Sequence, residues 1–158
     1  MSFDAFSTKL ADLEIFRGLQ PAQLTAIARS AERMVFRPGQ SIIASDEAGD
    51  GAYVLMGGEA SMLAGEAGPG EAAVAAGTLL GEMAMLIEHD YRVTVVARGS
   101  VKALKITRAA LHQLMLRDPT LAEHFVARIS SRLSRVAVQL RRIDETLALA
   151  AEMSHAPA

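Results

Sequence analysis

Short apolar runs alternate with turn signals between residues 33 and 107, and this alternation limits the possible folds more than any other feature of the sequence. Runs of this length, bounded by glycine and proline, are typical of β-strands. The runs cover 34–36, 41–44, 52–56, 60–64, 72–75, 93–96 and 101–106. The turn signals are Pro38-Gly39, Gly49-Asp50-Gly51, Gly57-Gly58, Gly68-Pro69-Gly70, Gly77 and Gly99. The spacing predicts a β-roll over 33–107, of the jelly-roll or double-stranded β-helix kind.

Helical periodicity flanks this β region on both sides. Residues 8–32 carry it in two pieces that are broken at Gly18, which places N-terminal helices in residues 1–32. Thr107 is a suitable helix N-cap, and the period continues over 108–153 with one interruption at Asp118-Pro119. The expected class is therefore mainly β with flanking helices. A length of 158 residues predicts one domain, 1–158.

The last predicted helix carries an apolar heptad seam. Its members are separated by 4, 3, 4, 3 and 4 residues and are Ile129, Leu133, Val136, Leu140, Ile143 and Leu147. Such a seam favours a partner helix, and self-association as a homodimer is the interpretation that we prefer. An ordinary helix packed on its own sheet remains the alternative.

Composition excludes several functions. The chain has no cysteine, so disulfides, thiolate zinc sites and thiol nucleophiles are impossible. The four histidines lack metal-ligand spacing, and we find no catalytic triad, so we expect no metal and no enzyme activity. No apolar stretch is long enough to span a bilayer, and the N-terminus has no signal-peptide pattern. We expect a cytoplasmic protein without a membrane partner.

Direct DNA binding is not expected. The formal net charge is -2, and general attraction to phosphates requires clustered cations. The densest basic run, 128–142, is followed by acids at Asp144 and Glu145, which favours a solvated face. No helix-turn-helix pattern follows Leu147.

The stretch 77–97 carries the chemistry. Gly81 precedes a short helical turn whose first N–H groups have no partner within the helix and can approach an anion. Arg92, ten residues after Glu82, offers a fork of N–H donors that suits a phosphate. The Glu82 carboxylate accepts hydrogen bonds and therefore suits a sugar hydroxyl. Together these residues indicate a sugar phosphate; a structural ion pair between Glu82 and Arg92 is the alternative.

These residues resemble the cyclic nucleotide-binding domains of catabolite activators, cyclic-nucleotide-dependent kinases and gated channels. Gly81-Glu82-Met83-Ala84 and Arg92 match the family's phosphate-binding cassette, which would span 77–97. Further similarities, which extend over most of the chain, are found in Ile15-Phe16-Arg17-Gly18-Leu19, Arg37-Pro38-Gly39-Gln40, 49–54 and Gly58. The resemblance implies a β-roll that holds a cyclic nucleotide under the cassette, with the last helix as lid and dimer seam. This chain would be a stand-alone member without a DNA-binding domain.

The resemblance also implies roles for individual residues. Glu82 would bind the ribose 2′-hydroxyl and Arg92 the cyclic phosphate, without catalysis or a cofactor. Backbone amides would complete the anion site around Met83, Ala84 and Val93. The ligand-binding set is Gly81, Glu82, Met83, Ala84, Arg92, Val93 and Thr94.

Val93 and Thr94 depart from the family's pattern. Relatives usually carry a small pair directly after the arginine, and those that favour cGMP often have a hydroxyl there. Val93 therefore favours cAMP over cGMP. The leading hypothesis is a non-enzymatic cyclic nucleotide sensor that signals to an unknown protein effector through movement of its C-terminal helix. The alternative is a degenerate relative that serves as a dimeric scaffold and no longer binds nucleotide.

Overall fold

A computed structural model describes residues 3–63 and 70–154. The chain divides into two compact units, residues 1–122 and residues 123–158. The second unit contains most of the last helix. None of the described helices has a stretch that is both long and apolar enough to cross a membrane.

The described elements are mainly antiparallel strands with flanking helices, which confirms the predicted fold class. The helices are α1 (Phe3–Ala11), α2 (Pro21–Ser30), α3 (Arg108–Arg117) and α4 (Pro119–Ser154), with 3₁₀ turns at Glu14–Phe16 and Glu82–Met85. The strands are β1 (Glu32–Phe36), β2 (Ser41–Ile43), β3 (Ala48–Gly49), β4 (Gly51–Gly57), β5 (Ala60–Leu63), β6 (Glu71–Val74), β7 (Leu79–Leu80), β8 (His89–Asp90), β9 (Val95–Ala97) and β10 (Val101–Thr107).

The strands form two four-stranded sheets and one short ladder. One sheet has the order β1-β10-β4-β7, the other has the order β2-β9-β5-β6, and β3 pairs with β8. All of these pairs are antiparallel. Apolar side chains from both large sheets meet in one cluster, where the Phe36 and Tyr53 rings pack edge to face at 5.9 Å between centroids. This core is what holds the candidate site in place.

The first N-terminal helix begins earlier than the periodicity predicts: α1 starts at Phe3, whereas the periodic pattern starts near residue 8. The break is where we expected it: a 3₁₀ turn ends at Phe16, and Gly18 has a φ of 95°. Proline fits the first turn of a helix, and Pro21 opens α2. The backbone N–H of Gln20 donates to Gln23 Oε1 over 2.8 Å, which completes a capping interaction.

The start of α3 confirms Thr107 as its N-cap, since Thr107 Oγ1 accepts a hydrogen bond from the Ala110 N–H at 3.2 Å. The predicted interruption at Asp118-Pro119 separates α3 from α4. In α4, the seam residues Leu140, Ile143 and Leu147 are exposed. The side chains of Leu133 and Val136 lie outside the described residues.

Three two-residue strands, β3, β7 and β8, were not predicted, because two residues show no periodicity. The strand expected from residue 93 begins at Val95 instead. Thr94, which directly precedes this strand, accepts a hydrogen bond at its Oγ1 from the Ser45 N–H over 2.9 Å. Thr94 is therefore bonded to the loop that contains Ser45. The predicted turn at 68–70 lies, apart from Gly70, outside the described residues.

Candidate functional site

Gly81 sets the shape of the site. Its φ of 71° lies in the left-handed region that favours glycine. A Cβ at this position would come within 2.5 Å of Tyr91 Cε1. The Tyr91 ring is itself held, because its hydroxyl donates to the Gly51 carbonyl at 2.7 Å in a buried position. Glycine is therefore required here both by the backbone and by the neighbouring ring.

The 3₁₀ turn Glu82–Met85 follows directly. Ala84 and Met85 are fully buried and anchor the turn in the molecule. Glu82 is half-buried, and its Oε1 atom is inaccessible to solvent. The Ala84 N–H donates to the Gly81 carbonyl at 3.0 Å. The Ala84 N–H therefore already has a hydrogen-bond partner within the turn. The Glu82 side chain, in contrast, is only partly buried.

Arg92 lies between β8 and β9, in residues 91–94, which we call the returning segment. It is exposed, and no carboxylate among the described residues lies within ion-pair distance of it. The ion pair with Glu82 that the sequence left open as an alternative is therefore not formed. Val93, the next residue, is half-buried and packs against the core cluster. This segment therefore carries a cation that has no counterion in the described part of the chain.

The turn and the returning segment enclose a cavity of about 190 Å³. It is lined by Ile43, Gly81, Glu82, Met83, His89, Asp90, Tyr91, Arg92 and Val93. Five of the seven sequence-predicted site residues are in this set. Ala84 is instead a fully buried residue of the turn, and the Thr94 hydroxyl accepts a hydrogen bond from the Ser45 backbone N–H. The roles that we assign to these residues in binding stay predictions.

A second, larger cavity of about 590 Å³ also borders the returning segment. It shares His89–Arg92 with the smaller cavity and is also lined by charged residues that include Asp46, Glu88 and Arg108. Asp46 has a φ of 68°, in the left-handed region that aspartate adopts more readily than most residues. Arg92 therefore borders both spaces.

Two side chains of α3 support the 3₁₀ turn, and no sequence pattern indicated either of them. Arg108 Nη1 donates to the carbonyl oxygens of Gly49, Ala84 and Ile87 over 2.9, 3.0 and 3.0 Å. His112 Nε2 lies 2.8 Å from the Leu86 carbonyl oxygen. Carbonyls at the end of a helical turn lack partners within it, and α3 supplies them. The turn is thus attached to the helix that follows the roll.

The end of the roll beside Tyr91 is also polar. Lys105 forms an ion pair with Asp50, and its ammonium lies 5.5 Å from the centroid of the Tyr53 ring. Burial, with a smaller contribution from Tyr53 and Asp50, raises the pKa of the Tyr91 hydroxyl. The Tyr91 hydroxyl is therefore neutral at physiological pH and donates to Gly51. No cluster of three or more histidine, aspartate or glutamate residues in the described part of the chain could hold a metal ion.

Comparison with known proteins decides the family. Residues 33–118, more than half of the chain, match the family described as "Cyclic nucleotide-binding domain". This chain belongs to that family. The predicted resemblance is thereby confirmed, and the matched range contains the whole roll and the 3₁₀ turn with Arg92. We call 77–97 the cassette from here on.

Similarity to individual proteins supports this family assignment. A "cAMP-dependent protein kinase regulatory subunit" from Mucor circinelloides f. lusitanicus is 28% identical over 108 residues, which cover 67% of this chain and 25% of the relative. The structure of a "Cyclic nucleotide-binding-like protein" from Brucella abortus is 26% identical with a TM-score of 0.64, covering 71% of this chain and 98% of that one.

The N-terminal domain of a transcriptional regulator from Streptomyces coelicolor has the same fold, with a TM-score of 0.72 at 20% identity. The comparison covers 84% of this chain and 94% of that domain. The fold of this chain is thus also found in the N-terminal domain of a transcriptional regulator. This chain spans about a quarter of the length of its kinase relative.

Proposed function

We propose that this chain is a non-enzymatic sensor that binds a cyclic nucleotide at the cassette, with cAMP preferred. The observation that carries the proposal is the cavity that Glu82 and Arg92 both line, in which Arg92 has no counterion among the described residues. An arginine without an internal partner is available to an external phosphate, with which it can form charge-assisted hydrogen bonds.

The size of the cavity supports a specific placement. Its volume of about 190 Å³ is below the roughly 300 Å³ at which pockets for whole small molecules begin. The ribose and the cyclic phosphate are the parts that fit, with Glu82 at the 2′-hydroxyl and Arg92 at the phosphate. Met83 and Val93 line the same space, and we propose that their N–H groups donate to the phosphate. The base would extend beyond the cavity.

The preference for cAMP rests on Val93. Its side chain is apolar and packs against the core, so it offers no hydroxyl to a guanine amino group. The kinase relative is described as cAMP-dependent, which agrees with the same preference.

Signalling requires that the ligand favour one arrangement of the molecule over another. Arg108 and His112 attach the cassette turn to α3, so a ligand that moves the turn would also move this helix. We propose that α4 follows and presents the change to an effector protein. The exposed seam at Leu140, Ile143 and Leu147 would pair with a second copy in a homodimer.

Isothermal titration calorimetry with cAMP and cGMP tests the ligand directly. We expect cAMP to bind more tightly than cGMP. Arg92→Ala should weaken cAMP binding by about ten- to a hundredfold, because a charge-assisted hydrogen bond contributes about 1.5–3 kcal/mol.

Arg98→Ala is the matched control, because Arg98 is also exposed but is paired with Glu71 outside the cavity. It should leave the affinity unchanged. Absence of heat with both nucleotides at high micromolar concentration would favour the alternative, a dimeric scaffold that has lost its ligand. Equal losses for the two arginine variants would remove Arg92 from the site.

A further inference from the structure

An apolar cleft of about 280 Å³ lies between α1 and the sheet that contains β1 and β10, and residues of both line it. Its lining includes Phe6, Val35, Met56 and Leu104. Phe6, Met56 and Leu104 are buried below it, whereas Val35 is 66% exposed. Val35 is therefore an exposed apolar side chain at the rim of a cleft whose floor is formed by buried apolar residues.

Two cations flank the cleft. Lys102 lies opposite Val35 in the β1-β10 register, and Arg33 lies opposite Leu104, so all four residues face the same side of the sheet. The Arg33 guanidinium stacks 5.6 Å from the centroid of the Phe6 ring. Among the described residues neither cation has a carboxylate within ion-pair distance. The cleft therefore combines an apolar floor with two positive charges that have no counterion there.

The same cleft borders an open sheet edge. β1 is the outermost strand of its sheet, and β10 is its only neighbour among the described strands. The far side of an edge strand presents N–H and C=O groups that can pair with an added strand. An extended peptide could bond its backbone to this edge and place alternate side chains over the cleft. A lipid surface could use the cations and the apolar floor but not the strand edge, so the edge favours a peptide.

We propose that this cleft, with the edge of β1, binds an extended acidic segment of a partner protein that carries a bulky apolar side chain. The apolar side chain would cover Val35 and enter the space above Phe6, and carboxylates on either side of it would meet Arg33 and Lys102. Electrostatic complementarity of this kind selects the partner and its register. The surface is separate from the cassette, so the proposal does not depend on which nucleotide binds there.

Fluorescence anisotropy with synthetic peptides on the full chain tests the proposal. One short peptide has a central phenylalanine between valines and flanking glutamates, and a second has lysines in place of the glutamates. We expect the acidic peptide to bind and the basic one not to bind. The double variant Arg33→Glu/Lys102→Glu should weaken the acidic peptide at least about tenfold and improve the basic one.

Val35→Asp tests the apolar contact and should also abolish binding of the acidic peptide. Arg117→Glu is the control, since Arg117 is an exposed cation on α3 away from the cleft. It should leave binding unchanged, and all variants should keep wild-type nucleotide affinity and a cooperative thermal transition.

Failure of the acidic peptide to bind the folded wild type would overturn the proposal. So would equal binding of both peptides, or binding only to phosphatidylglycerol vesicles. If the wild type bound the acidic peptide but no cyclic nucleotide, the proposed sensor function alone would be contradicted.

Discussion

At the scale of single residues, the shape of the cassette depends on Gly81. Its backbone is left-handed, and the Tyr91 ring occupies the space that a side chain would need. Gly81→Ala should therefore lower the free energy of unfolding by about 1–3 kcal/mol through backbone strain. The contact between the new Cβ and the Tyr91 ring should add a further loss. Urea denaturation measures this loss.

Gly77→Ala separates the two costs. Gly77 also has a positive φ, of 90°, but a Cβ there would meet no atom within 4 Å. It should show the backbone cost alone and keep wild-type affinity for cAMP, whereas Gly81→Ala should also weaken binding because the turn must shift. Equal destabilisation by the two substitutions would show that Tyr91 does not restrict this position.

At the scale of elements, the cassette turn depends on α3. Arg108 bonds three carbonyl oxygens around the turn, so Arg108→Ala should cost about 1.5–3 kcal/mol in the free energy of unfolding. Arg117→Ala, nine residues further along α3 and exposed, provides a surface control that should stay within about 0.5 kcal/mol of wild type. Chemical denaturation followed by circular dichroism compares them.

A further measurement distinguishes support of the turn from general stability. In Arg108→Ala, hydrogen exchange should accelerate more for the amides of the turn Glu82–Met85 than for those of strands β5 and β6, which Arg108 does not contact. Uniform acceleration across the roll would contradict a local role for Arg108.

Some boundaries of helices and strands could be predicted from local sequence patterns, and others could not. Thr107 predicted the start of α3 because an N-cap is a local interaction between a side chain and an N–H group three residues later. The short strands β3 and β8 could not be predicted, because their pairing joins segments that are far apart in sequence. The same applies to Arg108, whose three acceptors lie 21–59 positions earlier in the chain.

At the scale of the whole molecule, the assembly depends on the seam of α4. Leu140→Glu should convert a dimer into a monomer, because it places a charge in the apolar interface. Leu149→Glu is the control: Leu149 is 61% exposed, close to the 60% of Leu140, but lies off the seam. Sedimentation velocity distinguishes the two states. A monomeric wild type, or equal disruption by both variants, would contradict a homodimer through this seam.

The sequence by itself determined the family, the β-roll between helices and the choice of Gly81, Glu82 and Arg92 as candidate site residues, because glycine positions, turn signals and charge types are local properties of the chain. The tertiary structure alone decided that Arg92 has no counterion among the residues that the structure describes, that α3 bonds the end of the cassette turn, and that cations flank a cleft beside β1. These features arise from distances between remote segments, and such distances are fixed only when the two sheets close around a common core.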